Sequence, residues 1–177
     1  MKSLGIVLLC MGAAVVYGIV HDQVTVRVCI EYFTIGHFPV FDTADPTLLG
    51  IGWGIIATWW VGLLLGIPLA VVARGGGRPK CSVESLFRPV GVLVLVMGAL
   101  SVIAGVVGWQ LARLGWVSLV GPLAHSVPAD RQVPFIADLW AHSASYLAGF
   151  IGGIVLMIRV WRSRKPRDVE GSEATAR

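Results

Sequence analysis

Charge is scarce in this sequence. Asp, Glu, Lys and Arg together make up 14% of its 177 residues, against about 25% in a soluble domain that must cover its own surface. The shortage excludes an ordinary globular protein, and a mean hydropathy of +0.80 places the chain in the membrane class. Cysteine is scarce as well. Cys10, Cys29 and Cys81 are the whole complement, and none forms a CxxC pair, which excludes a membrane thiol oxidoreductase of that kind. HExxH is missing. Gly75 to Gly77 run into Arg78-Pro79-Lys80 and not into a GxxxxGK[ST] loop, so no phosphate-binding loop is present. Without an internal repeat, an inverted-repeat transporter has no support.

What the sequence does have is four long apolar runs, over about 3–20, 46–73, 89–112 and 134–161. About 20 residues cross the hydrocarbon core as a helix, in which every backbone group bonds internally. The fold class expected is an all-α membrane protein, a four-transmembrane-helix bundle over 1–162, followed by a disordered cytoplasmic tail over 163–177. The first run starts behind Lys2 but lacks a cleavage site of small residues at its end, so it reads as an uncleaved anchor.

Basic residues orient the bundle. Arg74, Arg78, Lys80 and Arg88 lie between the second and third runs, and Arg159, Arg162, Arg164, Lys165 and Arg167 follow the fourth. The 21–45 loop has Arg27 against Asp22, Glu31, Asp42 and Asp45. By the positive-inside rule both termini are cytoplasmic and the first and third loops face outward. The net charge of +4 is thus a topology signal and not a nucleic-acid surface. Cys29 falls outside and Cys81 inside, so Cys29, unless occluded, should meet an impermeant thiol reagent and Cys81 should not. Trp53, Trp109, Trp116 and Trp140 fall near the outer boundary and Trp161 near the inner one, as interfacial aromatics do.

In lipid, helices associate by close packing of small residues. The second run carries Gly50, Gly54, Thr58, Gly62 and Gly66 at i, i+4. The fourth carries Ala137, Ala141, Ser145, Gly149 and Gly153 at the same spacing, and the third has Gly91, Gly98 and Gly105. Pro68 should bend the second helix, and Pro89 should open the third after a cap from Ser82.

The chemistry gathers around the first outer loop. Val24, Val26, Val28 and Ile30 alternate with Thr25, Arg27, Cys29 and Glu31. That alternation predicts a short β segment on the membrane surface, paired with part of 113–134; a helical extension with an Arg27–Glu31 pair is the alternative. On the fourth helix Asp138 and His142 stand one turn apart inside the span, where an ionisable group is costly and normally finds a partner. If the first and fourth helices are neighbours, His21, Asp22, Asp138 and His142 converge as ligands for a divalent metal such as zinc. Tyr17, Arg27, His37 and Tyr146 would complete a polar pocket, and Glu31 would be the catalytic base. The competing account is that a buried Asp–His pair merely holds two helices together.

Tyr17 to His37, YGIVHDQVTVRVCIEYFTIGH, and Ala57 to Gly62, ATWWVG, resemble a group of uncharacterised small bacterial membrane proteins. The resemblance runs over most of the four-span region and implies the same architecture, and it carries no activity with it. The expectation is a multi-pass protein of the bacterial inner (cytoplasmic) membrane with a metal-binding pocket at its extracytoplasmic face. Two alternatives stand beside it: a metal-dependent hydrolase or transferase acting on a lipid-like or periplasmic substrate, and a non-catalytic subunit. The subunit would pack with partner membrane helices, or with a second copy, through its small-residue stripes. The lipid bilayer is the partner that the composition itself implies.

Overall fold

The structure, a computed structural model, describes residues 2–164. The expected tail from 165 onward lies outside the described residues. All regular structure among those described is helical: α1 (Lys2–Val28), α2 (Ile30–Thr34), α3 (Pro46–Ile56), α4 (Trp59–Arg74), α5 (Glu84–Arg113), α6 (Pro122–Ser126), a 3-10 turn (Ala129–Arg131) and α7 (Gln132–Ser163). Among the described residues four segments are long and apolar enough to cross a membrane: Lys2–Val28, Pro46–Arg74, Glu84–Arg113 and Ala129–Ser163. The chain fits a multi-pass membrane protein on these helices.

The expected β segment is not there. Residues 24–28 are the last turns of α1, and Glu31 belongs to α2. The buried positions of this stretch are Asp22, Thr25, Val26 and Cys29, while Val24 is exposed. That is the i, i+3, i+4, i+7 face of a helix and not the alternate faces of a strand. The Arg27–Glu31 pair of the helical alternative is missing too. Arg27 instead donates to Gln23 O and Oε1, both at 2.7 Å, and to Thr47 Oγ1 at 2.9 Å.

The second span breaks at Ala57–Thr58 and α4 continues through Pro68. Thr58 Oγ1 donates to Gly54 O, the oxygen of the preceding turn, and so intrudes on the backbone ladder there. Helix α3 starts cleanly, with Pro46 in its first turn and the Asp45 carboxylate accepting from Leu48 N at 2.9 Å. Ser82 accepts from Ser85 N, as a cap would, but α5 begins at Glu84 and takes Pro89 into its interior.

Glycine makes the tight seams. A Cβ on Gly54 would stand 2.5 Å from Ile19 N, one on Gly62 would stand 2.6 Å from Met11 Cα, and one on Gly18 would stand 2.5 Å from Gly54 O. The α3–α4 stripe is therefore seated on the α1 backbone, within the chain. Helices α5 and α7 form the other close pair, with Gly105 against Ala137 and Ala141 and Gly108 beneath the Trp140 ring. Gly91 has nothing near it, so the expected heptad of α5 glycines is not one continuous seam.

Two apolar clusters close the ends of the bundle. One gathers Val26, Cys29, Tyr32, Phe33, Leu49, Phe135 and Ile136 under the α2 cap. The other gathers Ile6, Leu69, Ala73, Leu86, Leu156 and Val160 at the end holding both termini of the described chain. Arg164, assigned to the tail by its composition, is docked at that second end. Its guanidinium donates to the carbonyls of Val72, in the last turn of α4, of the cap residue Gly75, and of Arg78 and Pro79 in the loop that follows.

Candidate metal centre

Between the two end clusters lies a polar group built from α1 and α7. His21 and Asp22 come from α1 and His142 from α7, and one ligating atom from each falls within 4.8 Å of the others. His142 Nε2 is 3.2 Å from Asp22 Oδ1, and the His21 and His142 rings meet edge to face with centroids 4.4 Å apart. Asp22 and His142 are buried and His21 is half-buried.

The hydrogen bonds decide where the imidazole protons are. His142 Nδ1 lies 2.8 Å from the Asp138 carbonyl, which can only accept, so the proton is on Nδ1. Ser101 Oγ gives its proton to the Ala141 carbonyl at 3.0 Å, and its lone pair then faces His21 Nδ1 at 3.4 Å. Both rings thus carry hydrogen on Nδ1, and in the neutral tautomer that this fixes their Nε2 atoms are acceptors. His21 Nε2 is one of two buried side-chain atoms without a partner among the described residues. The two ring nitrogens and the Asp22 carboxylate lie close enough together that they could hold a cation.

Aromatic rings fix the imidazoles. Tyr32 stacks on His142 at 4.4 Å and Phe33 meets its edge at 5.9 Å, while Tyr17 stacks on His21 at 5.6 Å and exchanges a 2.7 Å hydrogen bond with Ser145 Oγ. Tyr32 lies in α2, so the cap reaches down onto the centre. Burial pushes its phenol above the ordinary value, with Tyr146, Asp138 and Asp22 acting in the same direction, and it stays neutral. Tyr32, Phe33 and Ser101 escaped the sequence reading. Ser101, a lone hydroxyl within the apolar α5 run, was the available signal.

The other residues singled out by sequence fall into three places. Asp138 reaches the centre through its backbone carbonyl; its carboxylate is buried, with Oδ2 unpartnered, and lines a separate cavity between α1 and α5. His37 and Tyr146 line the cavity beside the centre, with His37 Nδ1 donating to Tyr32 O at 2.8 Å. Arg27 and Glu31 stand outside it. Glu31 accepts from Arg131 Nε at 2.9 Å, and Arg131 also reaches Val28 O at the end of α1.

This Arg131 contact ties the end of α1 to the start of α7, the adjacency that the centre needs. Burial alone would raise the Glu31 carboxyl, but its backbone hydrogen bond, Arg131 and the Cys29 thiol together hold it below the ordinary carboxylate range. A lowered carboxyl stabilises the fold above its unfolded pKa and loses that contribution as pH falls through the folded one. A Glu31→Gln/Arg131→Gln double-mutant cycle should give about 1 kcal/mol of coupling at neutral pH, fading in acid below about pH 4. Chemical denaturation in detergent at the two pH values checks it. The neighbouring Cys29 is fully buried, and burial, with the Glu31 hydrogen bond next, pushes its thiol up to about 12. It is therefore occluded, the condition under which labelling by an impermeant reagent is not expected.

No protein-family model matches the chain, and neither a curated protein nor a solved structure matches it. The functional reading rests on the geometry alone.

Proposed function

We propose that this membrane protein holds a divalent metal ion of the zinc class at His21, Asp22 and His142. The observation that carries the reading is the pairing of His142 Nε2 with Asp22 Oδ1 at 3.2 Å while Nδ1 is already committed as a donor. Tetrahedral zinc with bonds of about 2.0–2.1 Å sets neighbouring ligand atoms about 3.3 Å apart. Two histidines, one carboxylate and an open position suit a reactive zinc site, and the same set suits a non-haem ferrous ion.

The basic residues lie toward the end that holds the termini, and the centre lies toward the other. The positive-inside rule supports cytoplasmic termini and a centre near the extracytoplasmic face, and the membrane we propose is a bacterial inner membrane. A metal-dependent hydrolase or transferase is favoured over a non-catalytic subunit by one observation: a cavity adjoins the donor set. The α3–α4 glycine stripe meanwhile faces α1 and is not free for a partner helix. With Glu31 tied to Arg131 and the Asp138 carboxylate lining the other cavity, neither carboxylate is proposed as the base of such an enzyme.

Metal analysis of the purified protein tests the proposal. Wild type should carry close to one equivalent of a divalent transition metal, and His21→Ala and His142→Ala should each lose it while keeping their helical content. Wild type that is metal-free after purification and after incubation with zinc or ferrous ion would overturn it, leaving His142 as an imidazolium paired with Asp22.

A further inference from the structure

A second cavity, of about 630 Å³, lies between α1, α5 and α7. That is within the usual range for a small-molecule site, about 300–1,000 Å³. Val20, Val24, Val102 and Val106 line it and are all exposed, so it is a groove open sideways to the bilayer. Gly98 leaves part of the space, since a Cβ there would have only Tyr17 Cε2 within 4 Å, at 3.7 Å. On the α7 side the groove is lined by Ala137, Ala141 and Asp138. Asp138 is 1% exposed, and its Oδ2 has no hydrogen-bond partner among the described residues. An ionisable group inside a span normally finds one. Thr25 and Ser101 line the same groove, but their hydroxyls donate to the carbonyls of His21 and Ala141. No Lys or Arg lines it among the described residues.

We infer that the groove binds an uncharged lipid alcohol, whose hydroxyl meets the Asp138 carboxyl group while its apolar body stays in the bilayer. A hydroxyl both donates and accepts, so it satisfies a carboxyl group in either protonation state. An anionic head group would meet an acid and no cation, at a high cost in an apolar groove. The terminal torsion of an aspartate is soft, so Oδ2 can turn from the wall toward a hydroxyl. The body gains little by leaving lipid, and the hydrogen bond is what selects the ligand. A free long-chain alcohol and a diacylglycerol share this head-group chemistry. The inference stands apart from the metal reading, because it uses Asp138 Oδ2 and not the His–Asp–His donors.

Photo-crosslinking tests this on the full-length protein in detergent micelles, with hexadecanol carrying a diazirine next to its head as the probe. Label should map to Thr25, Trp109 and Ala141 in the groove and be competed away by unlabelled hexadecanol. Asp138→Leu should lower it about tenfold or more, whereas Asp138→Asn, whose amide also donates and accepts, should keep it within about threefold. Gly98→Leu should fill the groove and lower the labelling as much, so the test survives if circular dichroism shows that Asp138→Leu fails to fold. Hexadecylamine and palmitic acid bearing the same diazirine should label the groove at least about tenfold less. Label that follows the amine and is lost in Asp138→Asn would overturn the inference in favour of a cation. Label confined to lipid-facing residues such as Leu95 and Leu147, or indifferent to head group and to the Asp138→Leu and Gly98→Leu variants, would overturn it too. Either result would leave the metal reading intact. Competition by dioctanoylglycerol distinguishes the source: stronger than by hexadecanol, it assigns the hydroxyl to a glycerolipid, and weaker, to a free alcohol.

Discussion

Gly54→Leu should unseat α1 from α3 and destabilise the bundle by about 3 kcal/mol or more, the range of severe overpacking. The α1 backbone occupies the space a side chain would need, since a Cβ there would meet Ile19 N and Cα at 2.5 and 2.6 Å. Backbone atoms in a helix cannot rotate aside as a flexible side chain can. The loss would also spread to the centre, because Asp22 lies less than one turn beyond Ile19. Gly91→Ala is the matched control. It lies in another span with nothing near its Cβ position, and alanine favours helix over glycine by about 1 kcal/mol in peptide hosts. Denaturation in mixed micelles should show a large loss for Gly54→Leu and no loss for Gly91→Ala. Equal effects at both positions would show that the α1 seam is not where the structure puts it.

Asp22→Asn should lower metal affinity by more than about a hundredfold with little change in fold stability. A ligating carboxylate supplies charge that an amide lacks, and even residues one shell further out are worth about 10–100-fold. Asparagine has the same shape, and its amide hydrogen can reach the bare His142 Nε2, so a neutral hydrogen bond survives. The competing account makes the opposite prediction. If Asp22 were the counter-ion of a protonated His142, neutralising it would strand a buried charge, at a cost of about 3–5 kcal/mol. The protein would then be destabilised, with no metal involved. Equilibrium dialysis with zinc, alongside denaturation, separates the two.

The spans were legible because a bilayer leaves few options: long apolar runs must be helices, and the structure extends them at the polar ends. The glycine stripe was legible for the same reason, since its spacing has no other use in a helix. The 24–31 segment misled because β-branched residues alternated over a stretch too short to tell period 2 from period 3.6. Asp22, Thr25, Val26 and Cys29 carry the helical period, but two of them are polar and look like surface residues in isolation. The approach of His21, Asp22 and His142 was foreseeable only on the condition that α1 and α7 touch. One tie at that contact is Arg131, which reaches both Val28 O and Glu31 and carries no sequence signal for doing so. Asp138 shows the limit of spacing arguments. Standing one turn before His142, it looked like a second acidic ligand, whereas His142 Nδ1 reaches back to its carbonyl and the carboxylate points elsewhere.

X-ray absorption at the metal edge of the purified, zinc-loaded protein tests the centre most directly. A first shell of nitrogen and oxygen at about 2.0–2.1 Å, with the outer-shell scattering of two imidazoles that falls away in His21→Ala and His142→Ala, is the result expected. Sulfur scatterers, a shell without imidazole, or a spectrum unchanged in both variants would contradict it.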